Sequence, residues 1–441
     1  MHALQKNKTM KQFKLMVLFA IFCIQFIAFA QEPADYVNPF IGTSNYGATF
    51  PGPIAPRGMA SISPFNVAGA LNKLEKDSQW LSNPYVHENT FLTGFSQVNL
   101  SGVGCPDLGV LLLMPTTGEL ETNHLKYGST YKNEVAKAGY YSTHIDKYDI
   151  KAEFTASKRV GVSKFTFPNG QANVLLNLGL GLTNEQGAMV QVVSSTEIQG
   201  MRSVGTFCYN SPEAAYPVYF VAKFSKPADR FGVWKKPAKY EGTEAQWMAY
   251  NGKNRLMEQS TKMVVGDSIG SYFSYNFEKT ETVEVKIGVS YVSIENAREN
   301  LEKETGNKSF DAVCKETYNE WNELLSKIKV EGGTTEDKTV FYTALYHTLI
   351  HPNTLNDFNG EYPEIKTGKI GKTDGTRYTV FSLWDTYRNV HQLMSLVYPQ
   401  QQLDMVKSML DMYDENGWLP KWELFGRETP VEVSFADVKK M

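Results

Sequence analysis

Apolar residues change their spacing once along this chain, near residue 294. Upstream they alternate: Val218, Phe220, Ala222 and Phe224 occupy every second position, as do Val283, Val285, Ile287 and Val289. That is the period of a half-buried strand. Pro168-Asn169-Gly170 separates the run ending Val162-Ser163-Lys164-Phe165-Thr166-Phe167 from Val174-Leu175-Leu176, a spacing that predicts a hairpin turn. Many short strands with turn residues between them predict one large antiparallel β-sandwich over 31–293 rather than a βαβ sheet.

Downstream the period becomes helical. Phe310, Val313, Cys314, Trp321, Leu324, Leu325 and Ile328 fall on one face, with Ser309 placed as an N-cap and Gly332-Gly333 as the stop. This stretch, 294–333, reads as a helical linker. Three more helical patterns follow: Val340 to Ile350; Leu383, Tyr387, Val390, Met394 and Val397; and Leu403, Val406, Leu410 and Tyr413, with Pro399 and Gly417 as punctuation.

The first 30 residues carry a different signal. Lys6, Lys8, Lys11 and Lys14 precede an uncharged run from Leu15 to Ala30 that ends in Ala28-Phe29-Ala30, the layout of a secretory signal peptide cleaved before Gln31. Met10 is an alternative start. The run of about 16 residues is short of the roughly 20 that span a bilayer. Ala20-Ile21-Phe22 before Cys23 lacks the small residues that precede a lipidated cysteine. An exported chain, periplasmic or extracellular, without a stable membrane span is expected.

Charge and cysteine content mainly exclude. With 44 basic and 47 acidic side chains in 441 residues and no long block of one sign, nothing points to nucleic acid or another polyanion. Cys105, Cys208 and Cys314 remain after the signal, an odd number at wide spacing. This fits neither a disulfide scaffold nor a zinc site, and buried thiols are the plain reading.

Five segments combine residues suited to chemistry. Tyr36 to Thr43 and Phe50 to Met59 are dense in Gly and Pro, which make rigid loops. Gly94 to Gly109 packs amides, hydroxyls and glycines together, which alone reads as a turn system with local hydrogen bonds. Ser382-Leu383-Trp384-Asp385-Thr386-Tyr387-Arg388 opens a helix, where an Asp commonly just complements the dipole. Asn416 to Leu424 leads into Gly426-Arg427-Glu428-Thr429 and places Trp418 and Trp422 beside a Lys and two Glu residues. Stacking faces next to hydroxyl-binding groups are what a sugar rim needs.

Taken together, these segments resemble the family 92 glycoside hydrolases, exo-acting calcium-dependent α-mannosidases, from Tyr36 to about Thr429. The resemblance implies an N-terminal β-sandwich, a helical linker and an (α/α)6 barrel, with the active site between the two domains. It implies inversion, in which one carboxylic acid protonates the leaving oxygen and a carboxylate roughly 6.5 to 9.5 Å away activates water. It implies calcium as cofactor and a terminal α-mannoside, α-1,2 by expectation, in mannose-rich glycans as substrate. On the matched motifs Trp80, Trp384, Asp385, Arg388, Trp422, Arg427 and Glu428 would bind substrate.

One departure qualifies this. The family's general acid, a Glu well after the Gly-Arg-Glu-Thr stretch, and its general base, an Asp in a Gly-Asn-Asp-Asp type motif, have no counterpart here, and most calcium ligands are expected from the same region. The expectation is an incomplete (α/α)6 domain over 334–429, an unrelated tail over 430–441, and a truncated, inactive chain with neither catalytic nor metal-binding residues of its own. A non-catalytic carbohydrate-binding or vestigial protein stays open as the alternative, and a phosphate-requiring glycoside phosphorylase as a weaker third reading.

Overall fold

The structure, a computed structural model, describes residues 31–183, 187–205, 215–235 and 254–428. The expected signal peptide with Cys23, the thiol of Cys208, Thr429 and the expected tail lie outside the described residues. Two antiparallel sheets form the N-terminal part. The smaller runs, edge to edge, Ser63–Pro64, Phe95–Ser96, Leu112–Thr117, Gly170–Asn177, Ile269–Phe277, Arg230–Lys235 and Arg255–Glu258. The larger runs Val264–Gly266, Ala188–Ser194, Glu197–Val204, Tyr216–Phe224, Glu281–Ser290, Val160–Phe167, Ile150–Ala156, Tyr140–Ile145, Ser129–Lys137 and Phe91–Leu92. Alternation is clean where the outer face is wet: Glu197–Val204 buries every second side chain. Between the sheets Phe224 stacks on Phe273 at 4.1 Å, and Phe95 meets Phe154 at 4.2 Å with the rings tilted by 38°. Each such ring contributes about 1.5–3 kcal/mol through burial.

The hairpin expected at Pro168-Asn169-Gly170 does not form. Val160–Phe167 is already paired on both sides, by Ile150–Ala156 and Glu281–Ser290, so it has no free edge. The chain instead crosses to the opposite sheet, where Gly170–Asn177 pairs with Leu112–Thr117 and Ile269–Phe277.

Helices cover the outer face of the larger sheet. Helix α1 (Ile294–Glu304) is capped by Ser293, whose hydroxyl accepts from Asn296 N, and α2 (Phe310–Leu325) by Ser309, as expected. Each cap contributes about 1 kcal/mol. Ala297, Leu301, Phe310 and Val313 pack on Val160, Val162 and Val221. Val160–Phe167 and Ile150–Ala156 are therefore buried on both faces over most of their length. Helix α2 ends at Leu325, with Ser326 as its C-cap, before the glycine pair proposed as its stop. Its Trp321 is fully buried, donates to Ile54 O at 2.7 Å and lies 4.2 Å from the Tyr346 ring.

Helix α3 (Thr335–Thr348) begins with a capping box of Thr334 and Asp337. The pattern from Leu383 to Val397 breaks at Asn389 into α4 (Leu383–Thr386) and α5 (Val390–Val397), followed by α6 (Pro399–Asn416), which Gly417 ends in a left-handed conformation. The side of α6 that packs inward is Met405, Ser408 and Met412. Leu403, Val406, Leu410 and Tyr413, whose spacing predicts the helix, are exposed, Leu403 at 48% and Leu410 at 54%.

Arg57 ties the two parts together. Its guanidinium, buried, donates from Nη1 to Pro352 O at 3.0 Å and from Nε to Gln401 Oε1 at 2.8 Å, and burial lowers its pKa to about 10. A buried cation this deep persists because carbonyls and an amide take the place of water. No helix among the described residues is long and apolar enough to cross a membrane.

Candidate functional site at the junction of sandwich and helices

Three short strands assemble most of the expected site. Phe381–Ser382, Trp422–Leu424 and Arg427–Glu428 pair antiparallel, with Ser382 opposite Trp422 and Glu423 opposite both Phe381 and Glu428. This register sets Trp384, two residues after Ser382, beside Trp422. Their rings meet edge to face, centroids 5.4 Å apart and planes at 61°, a favoured aromatic geometry. Trp384 remains 46% exposed.

Asp385 and Arg388 stand on the same turn and are exposed. Asp385 Oδ2 takes a hydrogen bond of 2.5 Å from Ser382 Oγ, and the Arg388 guanidinium lies 5.4 Å from the Tyr387 ring centre. Glu428 is engaged with its own hairpin: Oε2 accepts from Lys421 N at 3.0 Å and Oε1 from Trp422 N at 2.8 Å. Arg427 turns toward the sandwich, where Nε donates to Ala215 O at 3.3 Å. The ends of this hairpin are therefore braced rather than free. Trp80 belongs to the sandwich loops. Its ring is 59% exposed and its indole N–H donates to Gly104 O at 2.9 Å, inside the glycine-rich 94–109 segment.

That segment reaches the hairpin through Asp107. Its carboxylate accepts from Leu108 N at 2.7 Å and from the Tyr216 hydroxyl at 3.0 Å, and burial pushes its pKa up to about 6. The Tyr216 ring is 5.1 Å from Phe425, and Phe425 stacks on Tyr291 at 4.3 Å. Phe425 is thus the plug by which the hairpin docks on the sandwich. Cys105, read as a thiol, is disulfide-bonded instead, two residues before Asp107. Cys314 is the free cysteine among the described residues.

Sequence reasoning missed Glu423. It is fully buried, and burial raises its pKa to about 7. No local pattern marked it, because Trp422 and Leu424 on either side both pack against the core. Calcium takes oxygen ligands in sets of six to eight. Among the described residues no group of three or more His, Cys, Asp or Glu side chains converges as a metal site.

Comparison with known proteins follows the same two-part plan. The family model described as "Glycosyl hydrolase family 92 N-terminal domain" matches residues 36–290, and "Glycosyl hydrolase family 92 catalytic domain" matches 296–436, past Thr429. A family GH92 α-mannosidase from Bacteroides thetaiotaomicron, solved in complex with mannoimidazole, is 31% identical with a TM-score of 0.78. The match covers 91% of this chain and 51% of that one. A family GH92 inverting mannosidase from the same organism is 25% identical with a TM-score of 0.76, covering 93% and 52%. An "uncharacterized secreted glycosidase" from Arthroderma benhamiae is 24% identical over 87% of this chain and 46% of its own length. The chain thus spans about half the length of these relatives. With an antiparallel sandwich followed by helices, and with the N-terminal model alone covering more than half of the sequence, the chain belongs to glycosyl hydrolase family 92.

Proposed function

We propose that this chain recognises terminal α-mannosides, α-1,2-linked by preference, in mannose-rich glycans, as the sugar-binding portion of an inverting α-mannosidase. The observation that carries the reading is the Trp384–Trp422 pair, with Trp384 nearly half exposed and Asp385 and Arg388 exposed on the adjoining turn. An indole face stacks on the apolar side of a pyranose, while a carboxylate and a guanidinium bind its vicinal hydroxyls. A relative at 31% identity is described with mannoimidazole bound, which supports mannose as the sugar.

The acid and base of the inverting mechanism are, on this reading, not among these residues. Glu428 spends both carboxylate oxygens on the hairpin backbone. Glu423 is sealed from solvent. The protein is proposed to work after export, which the disulfide at Cys105 supports, since such bonds persist in oxidising compartments.

The test is titration of the 441-residue chain with mannoimidazole, together with an assay of mannose release from α-1,2-mannobiose with and without chelator. Saturable binding, weakened by Asp385→Ala and without turnover, is expected. Chelator-sensitive mannose release abolished by Asp385→Ala would replace this reading with that of a complete hydrolase. No binding would end it.

A further inference from the structure

We propose that Glu423 is the positioning residue of the tryptophan pair, its buried carboxyl drawing together two backbone segments so that Trp422, one residue before it, is held against Trp384. The proposal deepens the sugar-binding reading above and rests on it. Oε1 accepts from Gly426 N at 2.8 Å, in the turn of the hairpin, and Oε2 from Val380 N at 3.1 Å. The Thr379 hydroxyl reaches both oxygens, at 2.9 and 3.0 Å, and itself accepts from Phe425 N at 2.8 Å. One carboxyl and one hydroxyl therefore satisfy the buried amides of Val380, Phe425 and Gly426.

The backbone shows why such a knot is needed. Val380 has φ +65° and Phe425 φ +48°, left-handed conformations that a β-branched or aromatic residue adopts only when its surroundings hold it there. Val380 immediately precedes the strand that leads into Trp384, and Phe425 is the plug on the sandwich. Both amides end on the Glu423–Thr379 unit. If it is undone, both strained turns lose the bonds that hold them, and the two strands that bring the tryptophans together are free to relax. A glutamine cannot substitute. Its single oxygen can serve Gly426 N or Val380 N, and its amide nitrogen would then face an N–H donor.

The experiment compares wild type, Glu423→Gln and Thr379→Val as full chains. Edge-to-face indoles this close give an exciton signal in circular dichroism, assigned here by its loss in Trp384→Phe. Both variants are expected to lose most of that signal and to bind mannoimidazole about tenfold more weakly. A lower melting temperature with the exciton signal and the affinity of the folded protein unchanged would mean a merely structural role and would overturn the proposal. Should Glu423→Gln fail to fold, Thr379→Val, which removes one hydroxyl at nearly constant volume, decides. Should wild type not bind mannoimidazole, the sugar reading fails, and the exciton signal alone decides whether Glu423 positions the pair.

Discussion

The backbone amide of Ser101 donates to Nε2 of His351 across 3.0 Å, joining the glycine-rich segment of the sandwich to the turn that follows α3. Nδ1 of the same ring meets Oδ1 of Asn353 at 3.1 Å, so the two partners together assign a neutral ring protonated on Nδ1.

Burial lowers the pKa of His351 to about 4. Unfolded chains take up this proton near the ordinary value of about 6.5, so the contribution of the neutral ring is complete above that pH and is lost as pH falls through 4. The loss approaches about 3 kcal/mol. Melting temperatures measured from pH 7.5 to 4 should therefore fall more steeply for wild type than for His351→Gln. Parallel curves would show that this ring does not govern the acid limb.

Gly288 lies where α1 crosses the larger sheet. A Cβ placed there would come within 2.3 Å of Ala297 O and 2.7 Å of Leu301 Cβ. A helix backbone cannot yield as a side-chain tip can, so α1 must lift off Val160, Val162 and Val221. Gly288→Ala is expected to cost at least the roughly 1–3 kcal/mol of core overpacking, read from chemical denaturation. A change below about 0.5 kcal/mol would mean that the helix has room to shift.

The sandwich was legible because each core strand carries its own period, and Ser309, Pro399 and Gly417 mark helix ends by local chemistry alone. Pairing partners are not local. The link at Pro168-Asn169-Gly170 looks like a hairpin turn, and only the occupancy of both edges of Val160–Phe167 sends the chain to the other sheet. On α6 two apolar stripes compete. Leu403, Val406 and Leu410 are the more hydrophobic, yet Met405 and Met412 face Ile365, Tyr378 and Phe381. At the site, Trp384, Asp385 and Trp422 are named through motifs that resemble the family's, since an Asp in a first helical turn carries no such signal by itself. Glu423 could not be weighed without its donors, which come from the Thr379-Val380 segment and the hairpin turn at Gly426.

The exposed stripe of α6 has a consequence in solution. Leu403, Val406, Leu410 and Tyr413 recur at helical spacing, each between 38% and 54% exposed, and contiguous apolar surface of this kind favours association. Light scattering over a concentration series should show self-association of the 441-residue chain. Leu403→Glu with Leu410→Lys should reduce it, with the circular dichroism spectrum kept. A wild-type chain monomeric across the series would remove the argument.

Glu423 should bend the stability profile the opposite way from His351. Burial raises its pKa to about 7, against the hydrogen bonds from Gly426 N and Thr379 and the pull of Arg377, with Glu428 adding to the rise. The unfolded chain ionises near 4.3, so between that value and 7 the native state retains a proton that the unfolded state has released. The stability from the neutral carboxyl is therefore complete below about 4.3 and is lost as pH rises through 7, a change of about 4 kcal/mol. In Glu423→Gln the group does not titrate. Plotted over pH 4 to 8, the stability of wild type minus Glu423→Gln should decline with rising pH, while wild type minus His351→Gln should climb. Asp107, raised to about 6 by burial on the other side of Tyr216, shifts in the same direction as Glu423. It is present in both chains and cancels in that difference as long as its surroundings are unchanged. A Glu423 difference curve that is flat or climbs would mean that the carboxyl is ionised in the native state throughout this range, with the three donors outweighing burial.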